Sequence, residues 1–237
     1  MRIIYLGFNA IGKKIYDWLL HNGENIVSSI ETKDQLAKVY DLEPDLIISG
    51  GFRHIISQDI LKIPRYGCIN FHKSYLPYNR GANPNVWSII ENNFAGVSIH
   101  YMDTGIDTGP ILAQKKVDVE FTDNAKSLYK KLEHAQFDLF VEFWPNFKSG
   151  NIEAQPQIEA GTYHKVDDFN KIREIDLNSQ YNALDFINLL RALTFPPFKN
   201  CYTTIDGKKY FLEITITSAE DIEQDNYEHT HMIKKYK

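Results

Sequence analysis

Three short apolar runs set the strongest limit on how this chain folds. Arg2 to Phe8, Asp45-Leu-Ile-Ile-Ser-Gly-Gly51 and Tyr66 to His72 carry hydrophobic residues at consecutive positions rather than alternate ones. A strand apolar on both sides must be covered on both faces, as in the parallel sheet of an α/β fold. The stretches between them supply covering helices, since Ile15, Trp18 and Leu19 recur at helical spacing after the Asn9-Ala-Ile-Gly12 turn. The longest helical pattern spans Asn124 to Phe147, with Leu128, Leu132, Ala135, Leu139 and Phe143 on one stripe. Ala95 to Met102 and Ile111 to Val119 alternate enough to be strands.

The pattern changes after Lys148-Ser-Gly150-Asn. Ala154 to Tyr163 is polar and irregular, and Ala183 to Leu193 reads as a short helix closed by Phe195-Pro-Pro-Phe198. Cys201 to Ile205, Asp206-Gly207 and Lys208 to Ile216 form a hairpin pattern, because Asp-Gly suits a tight primed turn. The expected architecture is α/β, a Rossmann-like, parallel-rich sheet over residues 1–150 with a small accessory region at 151–237 that contains a β-hairpin.

Bulk composition removes several classes. With 237 residues, 43% hydrophobic and 24% charged, the chain matches a globular protein with one sizeable core. Its net charge of −5 leaves no broad basic footprint for nucleic acid. Cys68 and Cys201 stand far apart, as two reduced thiols would. The apolar stretch Ile3 to Phe8 is too short for a signal peptide, and no run is long enough to cross a bilayer. A cytoplasmic protein without membrane partners is expected.

Chemistry concentrates in two segments. Asn70 and His72 lie two residues apart in a strand-like run, so both point to one face while Phe71 turns toward a core. Some thirty residues later comes Met102-Asp103-Thr-Gly105-Ile-Asp107-Thr-Gly109-Pro110. An amide donor, an imidazole and a distant carboxylate form a kit for acyl transfer to an amine. The Asn70 amide can donate to a carbonyl oxygen gaining negative charge, and His72 can take the amine proton. Asp107 can orient the imidazole and stabilise its charged form. The plainer alternative is that Asn70 and His72 end a strand in ordinary hydrogen bonds while Asp107 forms a turn.

With Ser74-Tyr-Leu-Pro-Tyr-Asn79-Arg80-Gly81 and the Ile-Asp-Thr-Gly-Pro loop added, roughly the first 150 residues resemble the formyltetrahydrofolate-dependent formyltransferases. The resemblance implies Asn70, His72 and Asp107 as catalytic residues and 10-formyltetrahydrofolate as co-substrate, with no metal. It places the pteridine beside Arg53, His54, Ile55, Ile56 and the backbone from Asp103 to Asp107. Among acceptors, methionyl-tRNA is expected to need a further domain and tRNA affinity, and glycinamide ribonucleotide enzymes lack the Arg80-Gly-x-x-Pro84 continuation. The remaining likeness is to sugar N-formyltransferases, usually homodimers, which modify nucleotide-linked amino sugars for bacterial surface polysaccharide such as the O-antigen of lipopolysaccharide. Gly161-Thr-Tyr163-His164 and Arg191-Ala-Leu-Thr-Phe195-Pro-Pro-Phe198 resemble enzymes acting on dTDP-4-amino-4,6-dideoxyglucose or a dTDP-3-amino relative. Lys73, Asn79 and Arg80 are then candidates for the diphosphate, and Tyr163, Arg191, Phe195 and Phe198 for a nucleotide clamp.

Two rival readings stand beside this one. A non-catalytic nucleotide-sugar binding protein keeps the fold without turnover. An NAD-linked oxidoreductase draws only on Gly7-Phe-Asn-Ala-Ile-Gly12, which lacks the middle glycine of the dinucleotide fingerprint. His100 reads as structural, and His229 and His231 as part of a polar tail rather than a metal site.

Overall fold

The structure, a computed structural model, describes residues 1–221. The His229/His231 pair and the terminal Lys234-Lys-Tyr-Lys segment lie outside them. A six-stranded mixed sheet forms the centre. It contains β1 (Arg2–Leu6), β2 (Asn25–Ile30), β3 (Leu46–Ser49) and β4 (Cys68–His72). The two-residue β5 (Arg80–Gly81) stands outside it, and β6 (Ala95–Tyr101) with β7 (Ile111–Val117) complete it. Strand order is β2-β1-β3-β4-β6-β7, parallel from β2 to β4 and antiparallel from there outward.

The apolar runs behave as their composition requires. Every residue of β3 is buried, as are Ile3 to Leu6 of β1. One face carries Ile3, Tyr5, Ile48, Ile69 and Phe71. It packs beneath α1 (Ala10–His21) and the long helix that follows β7. The other carries Ile4, Leu6, Ile47 and Cys68 against Val39, Ile56 and Ile60, which lie on or next to α2 (Lys38–Leu42) and α3 (Gln58–Leu61). Between β5 and β6 stands α4 (Pro84–Ile90), and α5 (Ala125–Lys148) follows β7. Asn124 opens α5 with a capping box, its side chain accepting from Ser127 N while the Ser127 hydroxyl accepts from Asn124 N. The expected stripe of α5 is buried throughout.

The glycines that resemble a dinucleotide fingerprint have a packing reason. A Cβ on Gly12 would lie 2.0 Å from the Gly50 carbonyl oxygen, so α1 seats directly on the loop after β3.

Beyond α5, an irregular strap leads to β8 (Tyr163–His164), which pairs parallel with β5. Next come α6 (Val166–Lys171), α7 (Ala183–Leu193) and the short pair β9 (Thr194–Phe195) and β10 (Phe198–Lys199). The predicted hairpin is β11 (Cys201–Ile205) and β12 (Lys208–Leu212), with Asp206 and Gly207 both at positive φ as a type I′ turn demands. β12 ends four residues earlier than the sequence pattern suggests. Ile175, Leu193 and Cys201 form a small third core here. Among the described residues no helix is long and apolar enough to cross a membrane.

Leu132 lies fully buried in the main core. Leu132→Ala should lower the unfolding free energy by about 2–5 kcal/mol, measured by urea titration with an unchanged m-value.

Candidate active site

The site forms where β4 and β6 run side by side. In this antiparallel register Asn70 faces His100, and strand alternation puts His72 on the same side as Asn70. The loop after β6 then returns Asp107 to meet them. Asp107 has φ 55°, a left-handed conformation that few non-glycine residues adopt, and it aims the carboxylate inward.

Four groups surround that carboxylate. Its Oδ2 accepts from Gly81 N at 3.0 Å and lies 3.5 Å from His72 Nδ1. Its Oδ1 lies 3.4 Å from Asn70 Nδ2 and 3.5 Å from His100 Nε2. Burial on its own raises the carboxyl pKa, but His72, His100 and the Gly81 N–H outweigh it. The net effect holds Asp107 well below the usual carboxylate range, so it is ionised at neutral pH.

Hydrogen bonding decides the imidazole tautomers. His72 Nε2 lies 3.0 Å from the Asn79 carbonyl, which can only accept, so Nε2 carries the proton. In a neutral His72 the basic lone pair is therefore on Nδ1, and a proton added there faces Asp107. Sequence reasoning gave Asp107 the task of orienting the ring. The structure gives that task to the Asn79 carbonyl and leaves the carboxylate free to stabilise an added proton. His100 is arranged likewise. Its Nδ1 donates to the Tyr101 carbonyl at 2.7 Å, and Nε2 lies 3.3 Å from the Asn70 amide nitrogen. His100 reads from sequence as structural, yet it belongs to this cluster. Its signal was spacing on β6, readable only once the register with β4 is known.

The other sequence candidates divide sharply. Asn79 is fully buried, and its amide nitrogen bonds Ser88 at 2.9 Å and Asn93 at 2.7 Å, so the side chain cannot reach a diphosphate. Arg191 is also buried. Its guanidinium donates to the carbonyls of Glu120, Phe121 and Asp123 and to Asn188, which fastens α7 to the loop before α5. Its Nε and Nη1 are committed to this fastening, while Nη2 makes no hydrogen bond within the described residues. Ile56 packs in the core with Ile4 and Leu6 rather than facing a cofactor.

Lys73 is held within the protein, 2.8 Å from the Tyr129 hydroxyl and 3.6 Å from Glu133. Burial lowers its pKa, with Glu133 offsetting part of the effect. Arg80 donates to the Ala160 carbonyl at 2.6 Å, while its Nε is buried without a partner. Arg53, His54 and Ile55 are exposed on the turn after β3. Asp103 is exposed, and its carboxylate accepts from Gly105 N and the Thr108 hydroxyl, shaping the loop that ends in Asp107. Tyr163 and Phe198 are exposed, and Phe195 packs edge-on against Tyr129 at 5.6 Å. Among the described residues no group of three or more His, Cys, Asp and Glu side chains is placed to hold a metal.

The formyl transferase family matches residues 19–143, more than half of the chain and the whole of the site's strands. The chain belongs to the formyl transferase family. A second family, the N-formyltransferase dimerization C-terminal domain, matches residues 168–218. One relative is a dTDP-4-amino-4,6-dideoxyglucose formyltransferase of Mycobacterium tuberculosis, 34% identical over 66% of this chain and 67% of its own length. Another is a methionyl-tRNA formyltransferase of Caldanaerobacter subterraneus, 33% identical over 92% of this chain and 69% of its own. A solved formyltransferase from Anoxybacillus kamchatkensis is 38% identical, covers 72% of this chain and 89% of its own, and has a TM-score of 0.64. It was crystallised with UDP-4,6-dideoxy-4-formamido-L-AltNAc and tetrahydrofolate. This formyltransferase is thus an enzyme of one-carbon group transfer.

Two measurements test the site as described. A free Asp titrates near pH 3.9, and folded Asp107 titrates lower. Its ionised form therefore contributes stability at pH above about 4 that is lost as pH falls through the folded value. Asp107→Asn should flatten the fall of the urea midpoint between about pH 4 and pH 2. Arg191→Ala should lower stability by about 1–3 kcal/mol through the stranded carbonyls, read from the urea midpoint.

Proposed function

We propose that this formyltransferase moves a formyl group from 10-formyltetrahydrofolate to the amine of a dTDP-linked amino-deoxysugar, with dTDP-4-amino-4,6-dideoxyglucose as acceptor. The observation that carries the reading is the convergence of Asn70, His72 and Asp107 around one point. Its acceptor rests on the likeness to the M. tuberculosis and A. kamchatkensis proteins, whose names and ligands point to 4-amino sugars of nucleotides.

The folate supplies the activated formyl carbon and a nitrogen, N10, that can leave. Residues fit such a ligand. The turn with Arg53, His54 and Ile55 and the backbone from 103 to 106 are both exposed next to the site, offering polar edges to a flat heterocycle. Each protein group then has one task. The neutral sugar amine forms the new C–N bond, and the carbonyl electrons move onto oxygen, where the Asn70 amide donates a hydrogen bond. His72 Nδ1 takes the proton that the amine nitrogen sheds. The resulting imidazolium sits between the Asn79 carbonyl on one nitrogen and ionised Asp107 on the other, which stabilises it. The C–N10 bond breaks, and His72 returns its proton to N10, so charge and protons balance.

In this reading Lys73, Arg80 and Tyr163 border the acceptor, and Phe195 with Phe198 face the nucleotide base. The exposed side chains of Ile205, Tyr210 and Phe211 on the hairpin lie inside the dimerization match, and we assign them to a homodimer interface. In this reading the enzyme works in the cytoplasm, and its product is a building block for bacterial surface polysaccharide.

The test is mass spectrometry of amino-sugar nucleotides incubated with enzyme and formylated folate. The panel includes 4-amino and 3-amino dTDP-sugars and a methionyl-tRNA control. One formyl group gained on the 4-amino sugar is the expected result. Formylation of only the 3-amino sugar or only the tRNA replaces the acceptor. Binding without product on any member supports the non-catalytic reading. Asn70→Ala should lower kcat by about 10²–10³, and His72→Asn by about 10²–10⁴, with sugar KM little changed in steady-state assays.

A further inference from the structure

Gln157 lies in the irregular strap between α5 and β8, outside both matched family regions. The strap attaches to the edge of β7 through a two-way bridge. Ile111 N donates to the Gln155 carbonyl at 2.7 Å, and Gln155 N donates to the Ile111 carbonyl at 2.8 Å. Two residues further on, the side-chain nitrogen of Gln157 donates to the Asp107 carbonyl at 2.9 Å and to the Gly109 carbonyl at 2.8 Å. Both partners are acceptors, so the amide cannot be turned the other way round. One NH₂ group thus spans the turn that holds Asp107 at φ 55°.

That turn needs an external hold. A left-handed aspartate costs about 1–2 kcal/mol, and its carbonyls have no strand partner on this side. Gly109 is packed so tightly that a Cβ would lie 1.9 Å from the Tyr101 carbonyl oxygen, so the loop has one way to pass. The same strap also grips the opposite wall. Thr162 bonds Asn79, His164 stacks on Trp87 at 3.9 Å, and β8 pairs with β5, whose Gly81 N–H donates to the Asp107 carboxylate. The His164 Nε2 lies 2.7 Å from Glu91 Oε1, out of line for a hydrogen bond. The strap therefore reaches the Asp107 turn directly through Gln157 and indirectly through β8, which pairs with the strand carrying Gly81.

We infer that Gln157 is a positioning residue for formyl transfer, its amide fixing the turn that aims Asp107 at His72. The inference rests on the proposed function for its kinetic part alone. Gln157 acts through Asp107, its side-chain nitrogen being committed to the two carbonyls of the turn. Gln157 is partly exposed, so substitutions should leave the fold intact.

The experiment uses the full chain carrying Gln157→Ala or Gln157→Glu. The first readout is amide hydrogen exchange at Gly81 without ligands. Gly81 loses its acceptor when Asp107 drifts, so its exchange should quicken by about tenfold in Gln157→Ala. Ala82, whose N–H bonds the His164 carbonyl at 2.9 Å, should keep its protection as internal control. The second readout is formyl transfer. Misplacing Asp107 by about 1 Å should lower kcat by about 10²-fold, with sugar KM within about twofold. In Gln157→Glu a carboxylate faces two carbonyls, and kcat should fall at least as far. Unchanged Gly81 protection, or a kcat within twofold of wild type, overturns the inference. A wild-type enzyme that formylates no acceptor defeats the functional proposal instead, and the Gly81 exchange still decides the role of Gln157.

Discussion

An ionised carboxylate held in a nearly closed pocket organises this molecule. Asp107 accepts a backbone N–H from β5 and lies beside two histidines on neighbouring strands, whose protonated rings favour its charged form. Removing a carboxylate from water is unfavourable unless such partners are in place. Satisfying it demands that β4 and β6 lie in one register, that Gly81 approach from β5, and that the loop after β6 adopt a left-handed bend. The sheet, the α5 packing and the strap can be read as the means of meeting those three conditions together.

In the proposed mechanism the same arrangement prepares the His72 imidazole for proton transfer. Fixing the proton on Nε2 through the Asn79 carbonyl leaves the other nitrogen as the only base. Asn79 itself is immobilised by Ser88, Asn93 and Thr162. A residue that reads from sequence as a ligand contact therefore serves through its main chain, and its buried side chain supplies rigidity.

Much of this was legible in the chain. The doubly apolar runs gave β1, β3 and β4, the leucine stripe gave α5, and Asp206-Gly207 gave the hairpin, because each signal is local and physically strong. β2 carries no comparable signal, since Asn25–Ile30 is mostly half-buried and contains two serines. The antiparallel turn of β6 and β7 is a long-range fact, and so is the pairing of Asn70 with His100. Asn79 and Arg191 carry polar groups that composition assigns to a surface, whereas tertiary packing buries them and engages most of their hydrogen-bonding groups. Strap contacts through Gln157 and Gly81 leave almost no sequence trace, because backbone carbonyls and amides have no side-chain signature.

The strap also sets an order of events during synthesis. A nascent chain that has presented only its first 150 residues to solvent already holds the strands bearing Asn70, His72 and Asp107. It lacks the Gln157 amide on the catalytic turn and the β8 partner that steadies Gly81. The growing polypeptide would carry its chemical groups in loose form and become competent only after residue 164 has left the ribosome and docked.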